Sequence, residues 1–356
     1  MHLLKYWLQA GIIITLLASC APALPTATPL QTLTQPSPKQ ELPTASPTED
    51  VWEPVTVRMA IQPYLGIGPL FIALEEGYFE EEGLIIEGIT FVKGSENAAA
   101  LASGAVDVAA ADINITYFNI MAQNPSIKIV TEKGFADPQA TCAYQGILTR
   151  LDVPDYTPGM DLSFLKGQSI DVIPGNQHQF MIDTLLKDSG FSTAEMKLMN
   201  VDAAIRGDAV RAGQNFLVST GEPFLTRYME GGGLKPWLGI KDVLPDHTIS
   251  TVVFGKFLTE ENPEAGVRWM RAYLRAVDQY NLGLTDRNVE ILAKYSKLEP
   301  DLIRKACFAN LRPSGIINTD GILQYQEWAV EKGLMDQVVP VENFWDDRFL
   351  NSARQE

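Results

Sequence analysis

Histidine, cysteine and positive charge are all scarce in this chain. Three histidines and three cysteines stand among 356 residues, and none of them fall at metal-ligand spacing, so no zinc site is expected. Neither a Gly-x-Ser-x-Gly elbow nor a P-loop occurs. The turn Gly66-Ile67-Gly68 carries Phe71 where a dinucleotide fingerprint needs its third glycine. Lysine and arginine number 28 against 44 acidic residues, for a net charge of −16. That balance repels phosphate backbones and anionic headgroups, which argues against nucleic-acid or peripheral membrane binding. No apolar run reaches the roughly 20 residues that a bilayer crossing needs.

What is present begins with a leader. Lys5 and His2 precede an apolar run from Trp7 to Ala18 that closes on Leu17-Ala18-Ser19-Cys20. Residues 1–19 read as an export signal. The closing tetrad resembles the bacterial lipobox, in which the cysteine thiol accepts diacylglycerol and becomes the new N-terminus. Residues 20–51 then form a Pro/Thr-rich tether, with Pro22, Pro25, Pro29, Pro36, Pro38, Pro43 and Pro47. Such a segment buries too little surface to offset its ordering entropy and acts as a semi-stiff spacer. Lipid, spacer and globular body imply a protein anchored on the extracytoplasmic face of the cell membrane, touching the membrane through the lipid alone. The other cysteines, Cys142 and Cys307, are open to pairing or to staying free. Buried thiols behave as small hydrophobes, and the free state is the expectation.

Beyond the tether, strand-like runs alternate with helix-like ones, the pattern of an α/β fold with largely parallel sheets. Val55–Ile61, 84–91 and 106–110 read as strands in a first block. A second block begins with strand 168–173 and helix 176–188, where Asn176 and Gln179 have the spacing of a capping box. The last hundred residues are mainly helical. Two such α/β blocks separated by a cleft make a natural ligand trap, because loops after parallel strands and helix N-termini converge there.

Four runs carry a family resemblance: Gln62-Pro63 with Gly68-Pro69-Leu70-Phe71 and Glu76-Gly77-Tyr78-Phe79; Gly94-Ser95-Glu96 with Ala102-Ser103-Gly104; Leu165-Lys166-Gly167; and Gly221-Glu222-Pro223-Phe224. Together they resemble the ABC-importer solute-binding proteins for sulfonates, taurine, nitrate and thiamine pyrimidines. The resemblance covers about residues 52–350. It implies a type II periplasmic binding protein, two α/β lobes with a hinge and a central cleft, serving an ABC permease and ATPase. Lobe 1 is expected over 52–148 plus 252–350 and lobe 2 over 149–251, with hinge crossings near 147–151 and 249–254. One departure stands out: the family usually has tryptophan where this chain has Gly221, which opens the cleft.

Three loops are expected to face a ligand: Gln62 with Tyr64 after the first strand; Ser95 and Glu96 at a helix start; and Asn176, Gln177 and His178 at another. Asp112 and Glu222 add carboxylates at strand ends. Amides suit a neutral ligand with several donors and acceptors, so a flat heterocycle is preferred, riboflavin first and a thiamine pyrimidine precursor second. Neither cofactor nor metal is expected. Enzymes sharing the architecture need cysteine or histidine clusters that this chain lacks, so the reading is a binding protein, not an enzyme. The alternatives are a sulfonate, taurine or nitrate binder, or a tethered ligand sensor. Replacing Cys20 with serine is expected to release the protein from the membrane fraction, and a variant that still pellets with membranes refutes lipidation.

Overall fold

The alternating runs resolve into ten strands in the computed structural model, which describes residues 53–91 and 94–355. The expected signal peptide, Cys20 and the tether lie outside the described residues. The strands are β1 (Val55–Ile61), β2 (Leu84–Thr90), β3 (Val108–Asp112), β4 (Lys128–Phe135), β5 (Gln145–Arg150), β6 (Ser169–Asp171), β7 (Lys197–Met199), β8 (Leu217–Gly221), β9 (Leu234–Gly239) and β10 (Thr248–Phe254). They form two five-stranded sheets, ordered β2-β1-β3-β10-β4 and β7-β6-β8-β5-β9. The described residues hold together as one compact unit.

Both sheets are mixed rather than largely parallel, and the chain path explains why. β1 runs parallel to β2 and β3, and β6 runs parallel to β7 and β8. β4 ends at the same edge of its sheet as β3, and the chain then crosses to the facing edge of the second sheet. There β5 starts and runs away from the crossing, antiparallel to β8 and β9. β9 brings the chain back to that edge, and β10 repeats the manoeuvre in the first sheet, antiparallel to β3 and β4. The expected boundaries at 149 and 251 therefore fall inside β5 and β10. Strand pairing moves the crossings earlier, to residues 136–144 and 240–247. No local signal marks those points, since the strands on either side share one apolar pattern.

One apolar core serves both sheets. It takes Ala109, Ala111 and Ile129 from the first sheet and Ile147, Ile170 and Leu217 from the second, with Tyr325 and Trp328 between them. The last two sit on the helix Thr319–Glu331, and their rings meet Phe180 of the helix Gln177–Lys187 at centroid distances of 5.6 and 5.7 Å. Trp328 Nε1 also donates to the buried Asp183 carboxylate at 2.8 Å. The helix Thr319–Glu331 thus packs on elements of both halves. A second core, built on Phe71, Phe254, Trp269 and Tyr273, lies under the other face of the first sheet.

Cys142 and Cys307 form a disulfide across a sequence separation of 165 residues, which corrects the expectation of free thiols. Cys142 lies in the first crossing, and Cys307 follows the helix Pro300–Lys305. A pairing this remote leaves no trace in spacing. Changing both cysteines to serine is expected to lower the unfolding free energy by about 2–5 kcal/mol. The check is a denaturant midpoint that falls in the variant and in the reduced wild type by the same amount.

Candidate ligand-binding site

The ends of β1, β3, β6 and β8 and the start of β5 open onto a cleft of about 340 Å³ between the two sheets. This is the crevice that parallel strand ends generate. Its floor is knitted by backbone. Gln177 N–H donates to Ile113 O at 3.2 Å and Ile115 N–H to Gly175 O at 3.4 Å, and Asn114 bridges Asn176. Both asparagines cap helices: Asn114 accepts from Thr116 N–H and Asn176 from Gln179 N–H. The capping box is half made, because the Gln179 side chain accepts from Gly175 N–H instead of from Asn176.

Six expected residues line this cleft: Gln62, Tyr64, Asp112, Asn176, His178 and Glu222. Three do not. Glu96 is exposed away from it, while its neighbour Asn97 turns into the core. The side chain of Ser95 lies outside the described residues. Gln177 is fully buried beneath the cleft, since each helical residue rotates by about 100° from the last and only His178 faces the opening. Gln177 acts at one remove: its Nε2 donates to Gln145 Oε1 at 3.1 Å, and Gln145 Nε2 points at Asp112 Oδ2 at 3.5 Å.

Glu222 has its carboxylate engaged by protein. It accepts from Thr226 N–H and Oγ1–H at 3.1 and 2.9 Å and from Cys307 N–H at 3.1 Å. Burial raises its pKa despite those three bonds. Arg206 also reaches the cleft but pairs with the fully buried Asp171 at 3.2 Å. His178 shares a 2.6 Å hydrogen bond with Ser219. Burial, then the nearby Arg206 charge, pushes it down to about 4.

Lys133, Tyr117, Tyr144 and Gln145 complete the lining. Lys133 went unnoticed as a site residue; its only sequence signal is a charged pair, Glu132-Lys133, inside a strand that otherwise reads as buried. Its ammonium donates to Gly66 O at 2.8 Å, and burial lowers its pKa while Asp112 opposes that shift. Asp112 shows the mirror case: its carboxyl is exposed into the cleft but hemmed in by protein, so desolvation raises it against Lys133 and Gln145. Gly66 is required here, because a Cβ would lie 2.3 Å from Tyr144 Oη and 3.5 Å from Lys133 Nζ.

Solved structures share this fold. The E. coli periplasmic aliphatic sulphonate binding protein SsuA superposes with a TM-score of 0.67 at 17% identity, covering 82% of this chain and 92% of that one. The fold is that of the periplasmic binding proteins. The nitrate-binding protein NrtA of Synechocystis PCC 6803 gives 0.66 at 15% identity over 85% of this chain and 89% of its own. A desulfurization enzyme, DSZB, shares the fold at 0.59 and 12% identity over 85% of this chain and 99% of its own. Among curated proteins, one of Brucella abortus, provisionally named a binding protein, is 23% identical over 67% of this chain and 70% of its own. No protein-family model matches the chain. Among the described residues no helix is long and apolar enough to cross a membrane.

The buried histidines give the fold an acid limit. His178 and His247 both sit at about 4 when folded, against about 6.5 when unfolded. The unfolded chain therefore binds protons first. The stability involved is fully present above pH ~6.5 and is lost as pH falls towards 4, by at most about 3 kcal/mol per histidine. Urea midpoints measured from pH 7.5 to 4.5 should show this loss, and a His178→Gln, His247→Gln double variant should lose distinctly less.

Proposed function

We propose that this chain is the lipid-anchored substrate-binding component of an ABC importer, taking up a small heteroaromatic molecule outside the membrane and presenting it to the permease. The observation that carries this reading is the cleft itself. Loops from both sheets converge on one small crevice, which a guest can fill and the crossings at 136–144 and 240–247 can close. Binding then shifts the open–closed equilibrium by its differential affinity for the closed form, and the closed form is what an importer reads. The chain captures and releases without catalysis; SsuA and NrtA, which share its fold, are named as binding proteins.

For the guest, the lining supports a flat ring with several hydrogen-bonding groups. Tyr64, Tyr117, Tyr144 and Phe224 offer aromatic faces, and Asn176, Gln62 and Gln145 offer amides. Riboflavin is the first choice and a thiamine pyrimidine precursor the second. Gly221 supports the larger one, because it lines the cleft and contributes no side chain to fill it. A simple sulfonate is the second reading, favoured by the buried ammonium of Lys133. Titration of the body, residues 51–356, with riboflavin should quench flavin fluorescence at micromolar concentration. Gly221→Trp should weaken that binding about tenfold or more by filling the cleft; an absence of quenching in the wild type sinks riboflavin as the guest.

A further inference from the structure

Four charged side chains line the cleft, and two of them are already satisfied. Arg206 is balanced by Asp171, and Glu222 accepts three hydrogen bonds from Thr226 and Cys307. That leaves Lys133 and Asp112, which carry opposite charge. Among the described residues no ion pair joins them, although each is felt by the other across the opening. Lys133 is 4% exposed, and among the described residues its ammonium, with three N–H groups, makes a single hydrogen bond, to Gly66 O. Tyr117 is 5% exposed, and its hydroxyl has no partner among the described residues. The Asp112 carboxylate has, among the described residues, only the long contact from Gln145. A buried donor without an acceptor costs about 1–3 kcal/mol, and more for a charged group. One unpartnered hydroxyl and one ammonium with spare N–H groups, beside an underused carboxylate, form a site with its partner missing.

We propose that Lys133 and Tyr117 are the donor pole of the binding site and Asp112 its acceptor pole. The recognised edge of the guest then carries an electron-rich oxygen, a ring nitrogen or an anionic group beside an N–H. This rests on the reading of the cleft as a binding site and narrows it. A flavin ring meets the requirement with its imide edge, where an N–H stands between two carbonyls; an aminopyrimidine meets it with a ring nitrogen beside an amino group. An alkanesulfonate satisfies only the donor pole and leaves Asp112 unanswered, whereas an aminosulfonate satisfies both.

Gln145 and Gln177 add a positional argument. Gln177 holds Gln145, and Gln145 leans on Asp112, so the acceptor pole on β3 is steadied by residues at the edge of the second sheet. The polarity of the site is thus set only when the two sheets stand in their observed relation. Lys133 and Tyr117 come from the first sheet side, on β4 and on the helix Ile115–Gln123.

The test is calorimetric titration of the 51–356 body with riboflavin, its imide N-methyl derivative, ethanesulfonate and taurine. It uses wild type, Lys133→Met, Tyr117→Phe and Asp112→Asn. Lys133→Met is expected to weaken riboflavin about tenfold or more while leaving the ligand-free melting temperature unchanged or raised, a combination that a merely structural lysine does not produce. N-methylation should weaken binding to the wild type by a similar factor, and should cost less in Asp112→Asn, where the N–H has already lost its charged acceptor. If Lys133→Met fails to fold, Tyr117→Phe and the N-methyl comparison decide. Lys133→Met and Tyr117→Phe both binding every wild-type ligand within about twofold overturns the proposal while leaving the binding function intact. A wild type that takes only a sulfonate, and loses it in Lys133→Met, removes the heterocycle and keeps the donor pole. A wild type that binds none of the four overturns the binding reading and this inference together.

Discussion

Two backbone hydrogen bonds, Gln177 N–H to Ile113 O and Ile115 N–H to Gly175 O, fix the relation between the sheets at the base of the cleft. They join the two loops from which the helices Ile115–Gln123 and Gln177–Lys187 start. Each loop therefore has its asparagine cap, its helix start and its cleft-facing side chains oriented by contact with the other. The shared core of Ala111, Ile147, Phe180 and Tyr325 supports the same region from behind. Side chains such as His178 and Asp112 hold their places because the floor between them is hydrogen-bonded backbone and not a gap.

Electrostatically the site departs from the protein that contains it. The chain as a whole is acidic, yet its cleft encloses an ammonium with little to bind and a carboxylate whose pKa is raised by desolvation. In a small, partly desolvated crevice, a single charge acts far more strongly than it does on the surface. Net charge therefore says little about the guest. What matters is that the two groups stand apart instead of quenching one another, which keeps each available to an incoming molecule.

Much of the fold was legible because local rules carry it. β1 occupies the expected residues Val55–Ile61, and Asn176 caps the helix it was expected to cap. Other features needed tertiary information. The crossing points are invisible to periodicity, since β4 and β5 read alike although they belong to different sheets. Sequence could place Gln177 and His178 at a helix start but could not say which would look into the cleft. Lys133 was hidden because a buried charge in a strand resembles an edge residue until its neighbours are known. Glu222 was identified by resemblance, and its hydrogen bonds turn out to tie the end of β8 to Thr226 and to the backbone at Cys307.

That last link gives the disulfide a practical meaning. Cys307 presents its amide to Glu222 while its sulfur is bonded to Cys142, so one residue fastens the first crossing to a cleft wall. Disulfides persist in oxidising compartments and not in a reducing cytosol. Protein kept in a reducing environment would carry two loose thiols where the oxidised form has a clasp, and would be a different specimen in the very region where Glu222 borders the cleft.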